Sequence, residues 1–490
     1  MQLAKRQQDL FENKGVIRAI FSIALPSIIS QIILVFYNMA DTFFIGMAAG
    51  QPYYIESGLG PALVSGVTIC MPIYMLLSAI SNLFGIGAAS LISRSLGKRQ
   101  YERARNASQF AIYGCLFTTI IYVLLTLAIL NPLTSFISGN NVNAIPYART
   151  YILWTVVICG IPTALNTLFS HLIRAEGKSF HASIGIALGG LLNVALDPLF
   201  IFVAFDIKDA AFAAALATGL SNVIALIYYI FIFILIKKGS FISFKFKRNM
   251  FSNNIPKEVL IIGLPACLMT LCENISYLLL DFVIGSVSSI AIVVSNAQAG
   301  IGVAKKVNML AHSIARGMSQ GVLPLIGYNK SSGNHIRMKK VVYASGLFSF
   351  LISIICMILC LTVTSSLCKI FLPDNDVLSL NYACLYLRIL CIGAPFSALA
   401  YTIISFFQAV GKGWRSLLLA LLRKGLLDIP LMFILNALIL TKAGEEGMFA
   451  VWATPIADIF CFIIAIILFF IYIKKHNYNK IDIKNNYEEK

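Results

Sequence analysis

The chain reads as long apolar stretches separated by short polar connectors. The stretch from Ala19 to Ala40 holds no charged residue. Wound as a helix rising about 1.5 Å per residue, it crosses a hydrocarbon core of about 30 Å. Eleven more such stretches follow, and spans are predicted over 15–46, 57–93, 108–138, 146–172, 182–205, 211–236, 258–286, 292–327, 341–372, 380–409, 414–440 and 447–474. Runs longer than one crossing imply tilt or extension past the membrane. The polar positions inside these runs carry the information. Asp41 is followed by Thr42, Phe43, Phe44, Ile45 and Gly46, so its carboxylate falls in the outer part of span 1. Tyr37 and Asn38 share its helical face. A carboxylate at that depth marks an ion site, a pathway or a pairing partner. The plain alternative is a helix that ends at the headgroups.

Composition turns this pattern into a class. Of 490 residues, 59% are hydrophobic and 12% charged, about half the charge of a soluble chain. An all-α integral membrane protein with many spans follows. The first run is too long for a signal-peptide core and no small-residue cleavage pattern follows it, so it is read as a retained helix. The net charge of +17 calls for no nucleic-acid partner, because the basic residues fall in loops on one side. That side carries Lys5, Arg6 and Lys14, then Lys98 to Arg105, Arg174 and Lys178, the loop after span 6, Lys330 to Lys340, Lys412 and Arg415, and Lys474 and Lys475. The opposite loops hold Arg149, Lys208 and Lys442 among acids such as Glu56, Asp374, Asp376, Glu445 and Glu446. By the positive-inside rule both termini are cytoplasmic, which requires an even number of spans, and twelve fits. The eleven cysteines lie in or at the ends of apolar runs without a CxxC pair, so they read as core thiols, not disulfides or a zinc site.

The two halves repeat one another. Leu25-Pro26 to Gly46 matches Leu264-Pro265 to Gly285, and Gly87 to Gly97 matches Gly317 to Gly327. RAEGK at Arg174–Lys178 answers QAVGK at Gln408–Lys412, and DPLFIF from Asp197 answers DIPLMFI from Asp428. Four matches in one order argue for duplication into parallel six-helix lobes, with a central cavity as the natural place for a substrate. The expected organisation is a cytoplasmic segment 1–14, an N-lobe 15–238, a basic cytoplasmic loop 239–257, a C-lobe 258–475 and a cytoplasmic tail 476–490, of which IDIKNNYEEK at 481–490 is expected to be disordered.

Within the N-lobe, Asn193 and Asp197 stand four apart on one face of span 5. Span 5 enters from the cytoplasm, so Asp197 lies in its outer half, at a depth similar to Asp41. Two carboxylates held together away from water favour sharing one proton over carrying two charges. Carboxylate, amide and hydroxyl oxygens equally suit Na⁺, and the residues do not choose between the ions. The alternative for Asp197 is an Asp-Pro helix break. Thr218 on span 6 stands at suitable depth, and Asn166 on span 4 is a further candidate.

The C-lobe departs from this pattern. Glu273 sits mid-span in span 7, with Tyr277 and Asp281 on the same face, and Lys305 and Lys306 fall near mid-membrane in span 8. One of these lysines is expected to pair with Glu273, either gating the cavity or as an inert buried pair. Arg423 and Lys424 are expected to snorkel to the cytoplasmic face.

LPSIISQIILVFYNMADTFFIG, FGIGAASLISRSLGKRQ, RAEGK, NVALDPLFIF, MSQGVLPLIGYN and RKGLLDIPLMFIL together resemble the multidrug and toxic compound extrusion (MATE) family, in its bacterial branch of DinF-like and MepA-like transporters. The resemblance covers about residues 15–475. It implies twelve helices in two pseudo-symmetric lobes, and a monomeric antiporter of the cell membrane. Such a protein exports organic, often cationic, compounds against H⁺ or Na⁺, with no other cofactor. Carried over by position, the family's cation site falls on Asp41, Asn193 and Asp197, with Tyr37 beside them, and its cavity Glu resembles Glu273. Two other activities remain open. A flippase for lipid-linked saccharides would want a more cationic cavity, to which Lys305 and Lys306 would contribute. An integral-membrane enzyme would need catalytic groups gathered at one face, yet His171, His181, His312, His335 and His476 are scattered.

Overall fold

In lipid a backbone satisfies its own hydrogen bonds best as helix, and the described residues contain helix and no strand. The structure, a computed structural model, describes residues 9–139, 141–236, 239–286, 288, 290–372, 377–438 and 445–476. The expectations for Lys5 and Arg6, Asp374 and Asp376, Lys442, the end of span 11 at 439–440 and the tail 477–490 lie outside the described residues.

Among the described residues the helices group into twelve spans. Spans 1 to 3 are Val16–Ala49, Gly60–Gly97 and Tyr101–Ala128; span 4 is the pair Val142–Ile158 and Gly160–Ala175; spans 5 and 6 are Ser179–Ala204 and Ile207–Ile236. Span 7 is Ile255–Gly285, span 8 Ala291–Ser331 and span 9 His335–Thr362. Span 10 is the pair Val377–Ile392 and Ala394–Ala409, span 11 runs through Gly413–Leu421, Leu422–Leu426 and Asp428–Leu438, and span 12 is Met448–His476. Spans 8 and 11 fall short of a crossing by apolar composition. They carry Lys305, Lys306, Arg316, Arg423, Lys424 and Asp428, the charges that set the C-lobe apart.

Three expected elements differ in detail. Span 4 bends by 53° after Ile158 and span 10 by 43° after Ile392, breaks within what the sequence reads as single spans over 146–172 and 380–409. Each break is followed by a proline, Pro162 or Pro395, which removes an amide donor and crowds the preceding turn. The two breaks sit at matching places in the repeat. The long third span ends at Ala128, and Leu130–Ser138 forms a separate helix. Gly177 and Gly411, in the paired RAEGK and QAVGK turns, both adopt φ of 78°, a left-handed conformation that glycine enters without strain.

The chain forms two units. Among the described residues, one takes in Ile29–Ile92 and Gln100–Gly263; the other takes in residues 9–28, Ser93–Arg99 and the chain from Leu264 on. In the first, Ile45, Leu63, Val67, Leu77, Tyr151, Ile152 and Ala211 share a core, and the alanine-rich face of span 6 lets backbones approach closely. The second is built on Leu280, Ile284, Ile301, Leu387, Leu390, Met432 and Val451.

Candidate functional site

Span 5 owes its position to glycines. A Cβ on Gly190 would stand 3.0 Å from the Ile33 side chain and 3.6 Å from Cβ of Tyr37, and one on Gly185 would meet the Tyr229 ring at 2.2 Å. Only hydrogen at these positions lets span 5 lie against spans 1 and 6. Pro198 then withdraws an amide from the ladder, and the helix opens into a π turn over Phe200–Ala204. Such wide turns recur at functional sites.

This packing gathers the predicted residues of the first unit. Asp41, Asn193, Asp197, Thr218, Tyr37 and Asn166 are all buried. Asp41 and Asp197 lie close enough to interact with one another, and Asp41 with Asn193. The Asn193 amide donates to Asp197 Oδ1 at 3.4 Å and to Thr218 Oγ1 at 3.2 Å. Asn166 joins through a residue absent from the sequence reading: its amide donates to Asn222 Oδ1 at 3.1 Å, and Asn222 donates to the Thr218 carbonyl at 2.9 Å. Tyr37 points instead to Tyr74, hydroxyl to hydroxyl at 3.3 Å. Asn222 lies four residues after Thr218 on span 6, a spacing that could have found it. Nothing local in the sequence points to Tyr74.

Charge balance defines what this cluster can do. Asp41 Oδ1, Asp197 Oδ2, Asn193 Oδ1 and Asn166 Oδ1 are buried without a hydrogen-bond partner among the described residues. No lysine or arginine among them forms an ion pair with either carboxylate. An uncompensated buried carboxylate costs several kcal/mol, so two in contact call for a proton or a small cation between them. The unmet acceptor oxygens of spans 1 and 5 suit either one.

The second unit compensates its charges internally, and here the sequence expectations need correcting. Glu273 does not pair with Lys305 or Lys306; Arg316 Nη2 bonds both its oxygens, at 3.0 and 2.9 Å, and lies 3.5 Å from the Tyr401 hydroxyl. Lys305 pairs with Asp281 and donates to the Tyr277 carbonyl at 3.4 Å. Antiparallel register explains this. Asp281 is opposite Lys305, and Glu273 lies about 12 Å back along span 7. Its partner must therefore stand a similar distance further along span 8, which is where Arg316 is. Lys306 forms no ion pair among the described residues. Arg423 and Lys424 do not snorkel. Both are buried, at 0% and 1% exposure, because each has a carboxylate beside it: Arg423 Nε meets Asp458 Oδ1 at 2.7 Å and Lys424 Nζ meets Asp428 Oδ2 at 2.9 Å.

Duplicated helical lobes in a twelve-span membrane protein, one lobe holding a pair of buried carboxylates with no basic partner among the described residues, are the make-up of a membrane transporter. The chain belongs to the MatE family, whose model matches it twice, over residues 26–199 and 265–434. The two matches open at Pro26 and Pro265, the prolines that open the repeat. It is thus a multi-pass membrane transporter and not an enzyme. The multidrug export protein MepA of Staphylococcus aureus is 28% identical over 462 residues, 94% of this chain and 95% of its own length; MepA of Staphylococcus saprophyticus is 26% identical over the same length. In fold the chain resembles the outward-facing form of a multidrug resistance MATE family transporter of the MOP superfamily (TM-score 0.80, 21% identity, 98% of each chain covered). It equally resembles a MOP superfamily transporter of Pyrococcus furiosus, described as having a binding pocket of reverse polarity that suggests a different function (TM-score 0.82, 21% identity, 97% of this chain and 98% of that one).

Proposed function

We propose that the chain is an antiporter of the cell membrane that exports small organic compounds, cationic ones among them, by alternating access in exchange for H⁺ or Na⁺. Both termini face the cytoplasm, and Asp41 and Asp197 hold the coupling ion with Asn193 and Thr218. The observation that carries this is the contact of two buried carboxylates with no basic partner among the described residues. With the ion bound, the pair is compensated; once it leaves, two buried like charges bias the protein toward another conformation. The relatives' names, multidrug export proteins, support the substrate class. The test is ethidium efflux from everted vesicles under separate proton and sodium gradients, comparing wild type with Asp41→Asn at matched expression. Efflux driven by one gradient and lost in Asp41→Asn is expected. Undiminished efflux by the variant would remove Asp41 from the coupling site.

A second reading has one observation in its favour. In the second unit the carboxylates Glu273, Asp281, Asp428 and Asp458 are each matched by a basic side chain, and Lys306 is left over. That excess of positive charge suits an anionic substrate such as a lipid-linked saccharide. No efflux by the wild type of ethidium or several other organic cations would favour it.

A further inference from the structure

We propose that the second unit keeps the duplicate of the Asp41–Asp197 site, with the ammonium of Lys424 built in where the first unit takes a free cation. The duplicate is then a latent site for a small monovalent cation, held shut by its own lysine. The proposal rests on the reading of the Asp41–Asp197 cluster as a cation site.

The correspondence is carried by the same three spans of each repeat. In the first unit the side chains come from spans 1, 5 and 6. In the second they come from spans 7, 11 and 12, with Asp428 at the centre, in the segment that answers Asp197. Ser276 on span 7 donates to Asp428 Oδ2 at 2.6 Å, and Thr454 on span 12 donates to Asp428 Oδ1 at 2.9 Å. Four residues before Asp197 stands Asn193; four residues before Asp428 stands Lys424, with its ammonium 2.9 Å from Oδ2. A π turn over Leu422–Leu426 carries Arg423 and Lys424 inward, as a π turn follows Asp197 in the first unit.

The two sites differ in what remains unmet. In the first, one oxygen each of Asp41, Asn193 and Asp197 is buried without a partner; in the second, both oxygens of Asp428 are engaged. The ammonium also lies 5.5 Å from the centre of the Tyr277 ring, a position that attracts any cation. The neighbouring charges close among themselves: Arg423 with Asp458, Arg316 with Glu273, Lys305 with Asp281. Removing the Lys424 charge therefore leaves a single negative charge at Asp428, ringed by two hydroxyl oxygens. An asparagine at 424 would add an amide oxygen, as Asn193 does in the first unit, so that one carboxylate, one amide and two hydroxyls would face the cation. Oxygen donors of this kind suit Na⁺.

The test measures sodium-22 retained by purified full-length protein in detergent. Asp41→Asn serves as parent, so that the first site is silenced. Adding Lys424→Asn should create saturable sodium-22 binding of about one equivalent per chain. Adding Asp428→Asn as well should abolish it, and Lys424→Arg should never show it. A folded Lys424→Asn protein that retains no more sodium-22 than its parent overturns the proposal, as does retention that survives Asp428→Asn. Should Lys424→Asn fail to accumulate, Lys424→Met with Asp428→Asn decides. With charge and counter-charge removed together, that variant must accumulate as a monodisperse protein, and its failure to do so refutes the proposal. If the Asp41→Asn parent retains as much sodium-22 as the wild type, the reading of Asp41 as a sodium ligand fails. The effect of Lys424→Asn, read as a difference from its parent, still stands.

Discussion

Gly190 sets how close span 5 comes to span 1, and the consequence of enlarging it can be worked out. An added Cβ would lie 3.0 Å from Cγ2 of Ile33, whereas carbon atoms rest at about 3.5–4.0 Å. Alanine therefore requires the Ile33 side chain to give by a few tenths of an ångström, and larger side chains push the two helices apart by more. Two terms oppose each other in stability. Helix propensity favours alanine over glycine by about 1 kcal/mol, and overpacking disfavours it by about 1–3 kcal/mol. The net change for Gly190→Ala is small, and thermal stability is a poor reporter of it. The ion site is a better one, because Asn193 stands less than a turn away on the same helix. Displacements of about 1 Å at reacting groups reduce rates by about a hundredfold. We expect gradient-driven efflux to fall in the order Ala, Val, Leu at position 190, with Gly190→Leu near the vector control. Gly302, where a Cβ meets nothing within 4 Å, is the control: Gly302→Ala should keep full efflux. Wild-type efflux by Gly190→Leu at matched protein level would refute the argument that this contact positions the site.

Two further predictions concern the second unit and the loop after span 6. Arg316→Met leaves Glu273 buried without its partner, which for a broken buried pair costs about 3–5 kcal/mol; Lys306→Ala, removing a lysine with no ion pair, should change the melting temperature little. Equal losses in the two variants, read by thermal melting in detergent, would contradict the pairing. Glu176, fully buried, accepts from Ser240 Oγ at 2.8 Å and from the amides of Phe241 and Ile242, and pairs with Lys178 at 2.6 Å. Charged hydrogen bonds are worth about 1.5–3 kcal/mol each. Glu176→Ala should therefore release residues 239–247 to limited proteolysis while the spans stay folded, and an unchanged cleavage pattern would count against the clamp.

What was legible in the sequence follows from which rules are local. Asp41, and Asn193 with Asp197, could be found because they interrupt apolar runs and because residues four apart share a face whatever the surroundings. The breaks in spans 4 and 10 carry Pro162 and Pro395, a local signal that periodicity alone passes over. The partners of Glu273 and Asp281 depend on the register between spans 7 and 8, and depth in the membrane constrains that only to within a few turns. Lys305 therefore looked as suitable for Glu273 as Arg316 is. Arg423 and Lys424 were assigned to the membrane surface because lysine and arginine near a helix end ordinarily reach it. Asp458, buried within the apolar run of span 12, and Asp428 reverse that; Lys424 and Asp428 stand four apart, a spacing that points to their pairing, whereas the pairing of Arg423 with Asp458 across spans leaves no mark in the sequence.

The central claim is that one ion is held by Asp41 and Asp197 and leaves when substrate binds. The most direct measurement is ion release from purified protein on adding ethidium, followed as protons in weakly buffered detergent solution and, in parallel, as displaced sodium-22. The account predicts release of one of these ions by the wild type and none by Asp41→Asn or Asp197→Asn. Release persisting at full amplitude in both variants would place the exchanged ion elsewhere and contradict the account.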